Sequence, residues 1–321
     1  MIFISTSADD YSTFKVIRWL KYLKKDFVVV NTLNEMVIKS ICLSNEKTDI
    51  NVGFTKDKKS LNFNAITSYW YRRGSLINTL EPFEFNEMDP QLKKEVVATV
   101  NAERLTYRHY FDNFLSSFAN NINKFEDNNT NKLISLQAAK DCGILIPETY
   151  ILTKKSDLER VLQTRKLIVK NSSQGAVFAE TYFEGLVKKF DHIDLENTPD
   201  SFAPTLFQVL INKKYEIRSF MLKNTFFSSV IFSQNDPRTA IDFRNYNNKR
   251  PNRVSPFILP EEIEKKLLKL SEKLNLNSGS FDLLVDKENR IYFLEVNPIG
   301  QFGQVSRPCN YNVEKVIAEN L

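Results

Sequence analysis

Phe281-Asp282-Leu283-Leu284-Val285, then Asp286-Lys287-Glu288-Asn289, then Arg290-Ile291-Tyr292-Phe293-Leu294-Glu295-Val296-Asn297-Pro298 is the stretch on which the reading of this chain turns. It reads as two apolar strands joined by a polar turn, with three oxygen-bearing side chains on strands otherwise suited to burial. A four-residue turn sets Asp282 opposite Phe293 and diagonal to Glu295. Successive side chains alternate faces, so Glu295 and Asn297 share one face, and Asp282 joins them at a diagonal spacing of roughly 7–8 Å between backbones. Two carboxylates and an amide oxygen then converge on one point. Leaving them buried and unpaired is costly. Hard oxygen donors arranged this way suit magnesium, above all magnesium held by substrate phosphates. The plain alternative is a hairpin with exposed polar residues, and the apolar flanks weigh against it.

Working outward, 321 residues make about two domains at roughly 150 residues each. With only 8 glycines and no GxGxxG or GxxxxGK[ST] pattern, a glycine-rich dinucleotide or P-loop fold is disfavoured. The net charge of +5 permits an acidic or polyphosphate partner without requiring nucleic acid. Cys42, Cys142 and Cys309 are far apart and form no CxxC pair, which fits a reduced, cytoplasmic protein without a zinc site. His109 and His192 are too few for a histidine-based metal site, and His109, in an expected helix, reads as structural. The N-terminal Met1-Ile2-Phe3-Ile4-Ser5 reads as a strand rather than a signal peptide. No apolar run approaches a membrane span.

The first segment alternates strand (Ile2–Ile4), helix (Tyr11–Lys24), strand (Phe27–Val30) and, after a charged stretch, strand (Ala65–Tyr71), predicting a small α/β domain. Arg72-Arg73 at the end of that strand either face an anion or form a solvated surface pair. A long helix is expected over 89–118. Six asparagines between Asn120 and Asn131 then mark a boundary. Thr130 or Asn131 caps a helix over Lys132–Asp141 that ends at Gly143. Strands follow at Thr149–Leu152, Leu167–Lys170, Phe207–Ile211, Glu216–Leu222 and Thr225–Phe232. A basic loop runs from Ser233 to Pro256, and a helix covers Pro260–Leu274.

Several pieces of this framework carry chemistry. Lys170 ends a buried strand and enters the small-residue loop Asn171–Ala176, where backbone amides and hydroxyls such as that of Ser172 can wrap phosphate oxygens. Lysines often end strands without any such role. Lys132 stands in the first turn of its helix, where a cation is disfavoured unless an anion lies near. The strand Gln208-Val209-Leu210-Ile211 is core, or can also read an adenine edge with its backbone. Glu216 and Arg218 share a strand face and are either a surface ion pair or, in so apolar a strand, a phosphate-facing arginine with its acid. Asp242-x-Arg244 repeats the spacing. Arginines and magnesium around one nucleotide are the inventory of phosphoryl transfer.

The ordered set Lys132, Lys170 with its loop, Gln208, Glu216-x-Arg218, Asp242-x-Arg244 and Asp282…Glu295-x-Asn297-Pro298 resembles the ATP-grasp superfamily over about Asn120 to Leu321. It is similar to the ribosomal-protein glutamate-adding ligases at Asn131-Lys132-Leu133 and Asp242-Phe243-Arg244. It resembles more closely the graspetide synthetases, the microviridin-type peptide macrocyclases, at Trp70-Tyr71-Arg72-Arg73 and at Leu294 to Gly303. Gln301 to Ser306 looks like the subgroup found beside radical SPASM maturases. Two positions depart from the pattern: Gly74 replaces an expected proline, and Val209 replaces the acid of the glutamate-adding ligases.

The resemblance implies an α/β N-terminal domain (1–119) followed by an ATP-grasp fold, two α+β subdomains (120–206 and 207–321) gripping ATP. It implies that Lys132, Lys170, Ser172, Gln208, Val209, Leu210, Ile211 and Glu216 bind ATP, with Glu216 on the ribose or the substrate side. It implies that Asp282, Glu295 and Asn297 hold two Mg²⁺ ions, and that Arg218 and Arg244 stabilise developing charge. The implied reaction is activation of an Asp or Glu side chain of a ribosomally made precursor peptide as an acyl phosphate. A Ser or Thr hydroxyl or Lys amine of that peptide then closes an ω-ester or ω-amide ring. The partner would be that precursor, with a leader and a core of Thr/Ser and Asp/Glu, and the enzyme a homodimer. The runner-up is an ATP-grasp ligase adding an amino acid to a protein or small molecule. A non-catalytic nucleotide-binding module is the third reading.

Overall fold

The computed structural model describes residues 1–56, 59–74, 89–172, 176–178, 181–183, 187–245 and 247–321. Along the chain come β1 (Ile2–Ser5), α1 (Tyr11–Tyr22), β2 (Phe27–Val30), β3 (Met36–Leu43), β4 (Thr48–Phe54), β5 (Ser60–Asn62), β6 (Ser68–Tyr71), α2 (Pro90–Ser116) and β7 (Asn120–Ile122). Next are α3 (Lys132–Asp141), β8 (Thr149–Lys154), α4 (Lys155–Leu162), β9 (Leu167–Lys170), β10 (Ala176–Phe178), β11 (Thr181–Phe183), β12 (Lys188–Lys189), α5 (His192–Glu196) and β13 (Ser201–Val209). Last are β14 (Lys213–Leu222), β15 (Thr225–Phe232), β16 (Arg253–Phe257), α6 (Glu261–Lys273), β17 (Ser278–Asp286), β18 (Ile291–Asn297), α7 (Gly303–Cys309) and α8 (Val313–Asn320). Two compact units result, Met1–Asn128 with Asn312–Leu321, and Asn129–Tyr311. No described helix is long and apolar enough to cross a membrane.

The first unit holds a parallel sheet in the order β2-β1-β6-β7. Helix α1 starts where the Asp10 carboxylate accepts from the Ser12 and Thr13 amides. Helix α2 starts where Asp89 does the same for Gln91 and Leu92, with Pro90 at the first helical position. The sequence reading misses a second, antiparallel sheet, β3-β4-β5. Most of β3 is exposed and its pairing with β4 is bulged, so it offers no clean alternation to read. The strand expected over Ala65–Tyr71 is shorter, because Phe63–Ala65 is a turn of 3-10 helix. The surface-pair reading of Arg72 is corrected: it is 2% exposed and faces the Asp10 carboxylate at 2.9 Å, with Arg73 3.8 Å from the same group. Only Arg73 reaches solvent.

The second unit has two larger sheets. One runs β12-β9-β13-β8 and the other, antiparallel, β16-β15-β14-β17-β18. Helix α4 packs on the first through Leu158, which meets Leu167 and Phe207. Helices α3 and α6 cover one face of the second. Leu136, Ala139, Leu267 and Leu270 meet Ile217, Met221, Phe281, Leu283, Phe293 and Val296 there. Asn131, rather than Thr130, caps α3, accepting from Leu133 and Ile134 at 2.9 and 3.2 Å. Gly143, at φ +74°, carries the chain out of that helix. Three acids in the first turn of α6 complement its dipole. The expected loop Ser233–Pro256 contains a strand, β16, at its end, and the strand through Gln208 stops at Val209.

The hairpin β17–β18 exists, but its register differs from the expected one. Val285 faces Ile291 and Leu283 faces Phe293; after an irregularity, Asp282 faces Glu295 and Ser280 faces Asn297. The turn is one residue longer than the polar run suggests, and Leu294 is inserted as a bulge. Two one-residue slips add to two, so Asp282 and Glu295 still share a face, now as direct neighbours rather than diagonal ones. Beyond the hairpin, Gly300 lies against β17 so closely that a Cβ there would stand 2.3 Å from the Ser280 hydroxyl. Only glycine fits that approach.

Candidate active site

A cleft with about 840 Å³ of empty space, its open mouth included, lies within the second unit. Its lining combines an apolar wall with charged side chains. The wall includes Ile168, Val209, Leu210, Ile211, Leu284 and Leu294. The charged lining residues are the cations Lys132, Lys170, Lys213 and Arg244 and the carboxylates Glu216, Asp242, Asp282 and Glu295. The bulge explains part of this. Phe293 and Val296 go to the core, while Leu294 and Glu295, adjacent in sequence, both line the cleft.

Strand order builds the charged row. Arg218 on β14 faces Asp282 on β17, which faces Glu295 on β18. The Arg218 Nη1 donates to both Asp282 oxygens at 2.6 Å. Lys132, at the start of α3, stands 3.4 Å from Glu295 and donates to the Asn171 carbonyl at 3.1 Å. That contact answers why a lysine sits in a first helical turn, since a carboxylate lies beside it. Burial pushes the Asp282 carboxyl up, Glu295 adds to the rise, and Arg218 opposes it. Burial would also raise Glu295, but Lys132, Lys170, Arg244 and Arg218 together hold it below the ordinary range. Burial lowers the Lys170 ammonium against the pull of Glu295, with Lys132 and Arg244 as like charges.

Of the two acid-x-arginine pairs, only Asp242 and Arg244 pair with each other; Glu216 and Arg218 do not. Glu216 and Arg218 are 6% and 8% exposed, so neither is a surface residue. Glu216 binds Lys213 and accepts from Ser233 at 3.2 Å, while Arg218 binds Asp282. Burial lifts the Glu216 carboxyl to about 7 despite Lys213. Asp242 does bind Arg244, whose Nη2 donates at 2.7 Å and Nε at 3.0 Å. Gln208 lines the cleft and donates to the Thr149 hydroxyl at 3.0 Å.

Of the residues singled out in sequence, Lys132, Lys170, Gln208, Val209, Leu210, Ile211, Glu216, Arg244, Asp282 and Glu295 line this one cleft. Arg218 stands behind it, touching it through Asp282. Ser172 and Asn297 are exposed and outside the lining. Asn297 faces Ser280, two residues past Glu295 at the end of β18. Ser173, Gln174 and Gly175 of the small-residue loop lie outside the described residues. The sequence reading misses Lys213. Its signal is a lysine three residues before an acid at the start of a strand whose later residues are largely buried.

The donor set fits a hard divalent cation. Two adjacent carboxylates offer oxygen ligands, and they lie beside lysines rather than thiols or imidazoles. Among the described residues no three His, Cys, Asp or Glu side chains cluster as a self-sufficient metal cage. Such a set suits an ion that takes its remaining oxygens from a ligand.

No family model matches the chain, and no curated protein matches it. Solved structures do. A RiPP-associated ATP-grasp ligase of Chryseobacterium gregarium, in complex with ADP and a leader and core peptide, is 21% identical with a TM-score of 0.79, over 99% of this chain and 95% of that one. The macrocyclase MdnC of Microcystis aeruginosa MRC, bound with precursor peptide MdnA, is 23% identical with a TM-score of 0.74, over 99% and 98%. The ATP-grasp ligase PsnB, complexed with minimal precursor, Mg and ADP, is 16% identical with a TM-score of 0.72, over 99% and 95%. At these identities the likeness speaks for architecture, along nearly the whole length: the chain has the fold of the ATP-grasp ligases.

Proposed function

We propose that this chain is an ATP-dependent ligase that closes ω-ester or ω-amide rings in a ribosomally made precursor peptide. The observation that carries the reading is the charged row Arg218–Asp282–Glu295, flanked by Lys132 and Lys170, at a cleft that also has an apolar wall. An adenine suits the wall, with its edge read by the backbone of Val209–Ile211. Lys132 and Lys170 suit phosphate oxygens, and Glu216 the ribose side. With four cations and four carboxylates lining the cleft, a triphosphate needs further positive charge. Mg²⁺, two ions in this reading, would supply that charge, held by Asp282 and Glu295 with Asn297 at the strand end.

In this reading the peptide's Asp or Glu carboxylate takes the γ-phosphoryl group, leaving ADP. A Ser or Thr hydroxyl or Lys amine of the same peptide then displaces phosphate, so each ring costs one water from the peptide. Arg244, in the lining, faces the developing charge directly, and Arg218 acts on it through Asp282. The solved relatives, all carrying precursor or leader and core peptides and two of them ADP, support this reading over amino-acid addition. The division into residues 1–119, 120–206 and 207–321, a homodimer, a cytoplasmic location and the SPASM-associated subgroup belong to the same proposal.

The test is mass spectrometry of a short Thr/Ser- and Asp/Glu-rich peptide, encoded beside the gene, after incubation with the protein, ATP and Mg²⁺. The expected result is loss of one water per ring with matching ADP. A gain of amino-acid mass instead selects the runner-up ligase. ATP bound but never consumed selects a regulatory module.

A further inference from the structure

We propose that Lys213 is the positioning residue that holds the 240–244 segment against the cleft and so aims Arg244. Lys213 opens β14 and is 5% exposed. Its ammonium pairs with the Glu216 carboxylate and donates to the Ile241 carbonyl at 3.1 Å. Glu216 in turn accepts from the Ser233 hydroxyl at 3.2 Å, just past β15. The Ser233 carbonyl accepts from the Thr239 hydroxyl at 2.8 Å. The excursion from 233 to 241 is therefore tied at both ends to one buried ion pair.

The next residue carries the consequence. Asp242 accepts from the Val187 amide at 3.1 Å and from the Arg244 amide at 3.0 Å, besides the Arg244 guanidinium. Arg244 is thus oriented by Asp242, whose place is set one residue earlier by the Lys213–Ile241 bond. Stability alone is a weak reason for such a pair. A buried ion pair roughly breaks even against apolar side chains of similar size. A lysine that grips a loop carbonyl has a use that a leucine lacks. The role of Arg244 in turnover rests on the ligase reading; the hold on the segment does not.

Two measurements test it. The first is hydrogen exchange of the 240–244 amides in Lys213→Met and, since that variant leaves Glu216 buried without a cation, in Lys213→Met/Glu216→Gln. Exchange there should rise about tenfold or more while the amides of α6 keep their protection. Native protection of 240–244 in the double variant overturns the proposal. The second is steady-state kinetics with ATP and the precursor peptide. Lys213→Met should lower kcat about as far as Arg244→Ala does, with the KM for ATP nearly unchanged, and combining the two should add little. A KM for ATP that rises in step with the loss makes Lys213 a nucleotide contact and overturns the proposal, as do multiplicative effects. Wild-type protein that consumes no ATP sinks the ligase reading but leaves the exchange result to decide on Lys213.

Discussion

Among the described residues, two buried arginine–aspartate pairs differ in what surrounds them. In the first unit, Arg72 and Asp10 meet at 2.9 Å with both side chains 3% exposed. The other oxygen of Asp10 caps α1 through Ser12 and Thr13. Burial lowers the Arg72 guanidinium to about 10, with Asp10 opposing. In the second unit, Arg218 and Asp282 meet at 2.6 Å with 10% and 15% exposed, and Asp282 faces a second carboxylate at the rim of a cleft. One pair closes on backbone and solves a folding problem. The other faces a second carboxylate, Glu295, which Lys132, Lys170 and Arg244 help hold charged, and it opens on a cleft that can take a ligand. Residue type does not distinguish structural from functional ion pairs; the partners of the remaining valences do.

The largest effect that sharpens this contrast is at Glu295. Glu295→Gln should leave the urea midpoint nearly unchanged and abolish peptide-dependent ATP consumption. Normal turnover in that variant removes the metal assignment. At the closed pair the signs reverse. Arg72→Met leaves buried Asp10 with only the half-exposed Arg73, 3.8 Å away, as its cation, and should cost about 3 kcal/mol. Turnover per folded molecule should be unchanged. A midpoint matching wild type in urea unfolding would break the comparison.

Arg218→Lys keeps the charge but loses the planar fork. It should lower kcat by about 10²–10³ while ATP affinity changes little. Equal loss in both makes Arg218 a nucleotide-binding residue instead. A last contrast is a pH slope in the first unit. Asp112 accepts from the Tyr69 hydroxyl at 2.9 Å and from the Phe125 amide. Burial first, and then its bond with Glu126, pushes its carboxyl from 3.8 up to about 7. Across that window the folded protein holds a proton that the unfolded chain has lost, so stability falls as pH rises towards about 7 and is level above it. Asp112→Asn should flatten that fall in urea midpoints taken at several pH values; an unaltered slope would rule out Asp112 as its source.

Much of the fold and part of the site are legible in the residues. Helices α2 and α6 announce themselves through periodic apolar positions, and α3 through its candidate capping residues Thr130 and Asn131. Strands β1, β2, β9, β14, β15, β17 and β18 do so through short apolar runs. Strand β3 does not, because a strand wet on both faces carries no alternation. The cleft gathers Lys132, Lys170 and Glu295 from three elements that the sequence reading had already marked. Ser172, read from its small-residue loop, and Asn297, read from strand alternation and the family resemblance, stand outside the lining.

Taken by itself, the order of residues determined which segments are strands and helices, and that acids sit on strands too apolar to be surface. Those properties depend on neighbours within a few positions. The tertiary structure alone decided the partners: that Leu294 bulges and puts Asp282 directly beside Glu295, that Arg218 binds Asp282 rather than Glu216, that Arg72 turns inward to Asp10, and that Lys213 reaches Ile241. Register and charge pairing depend on which strands lie side by side and how far each turn extends. Those are non-local quantities, and a one-residue slip changes them without changing any local pattern.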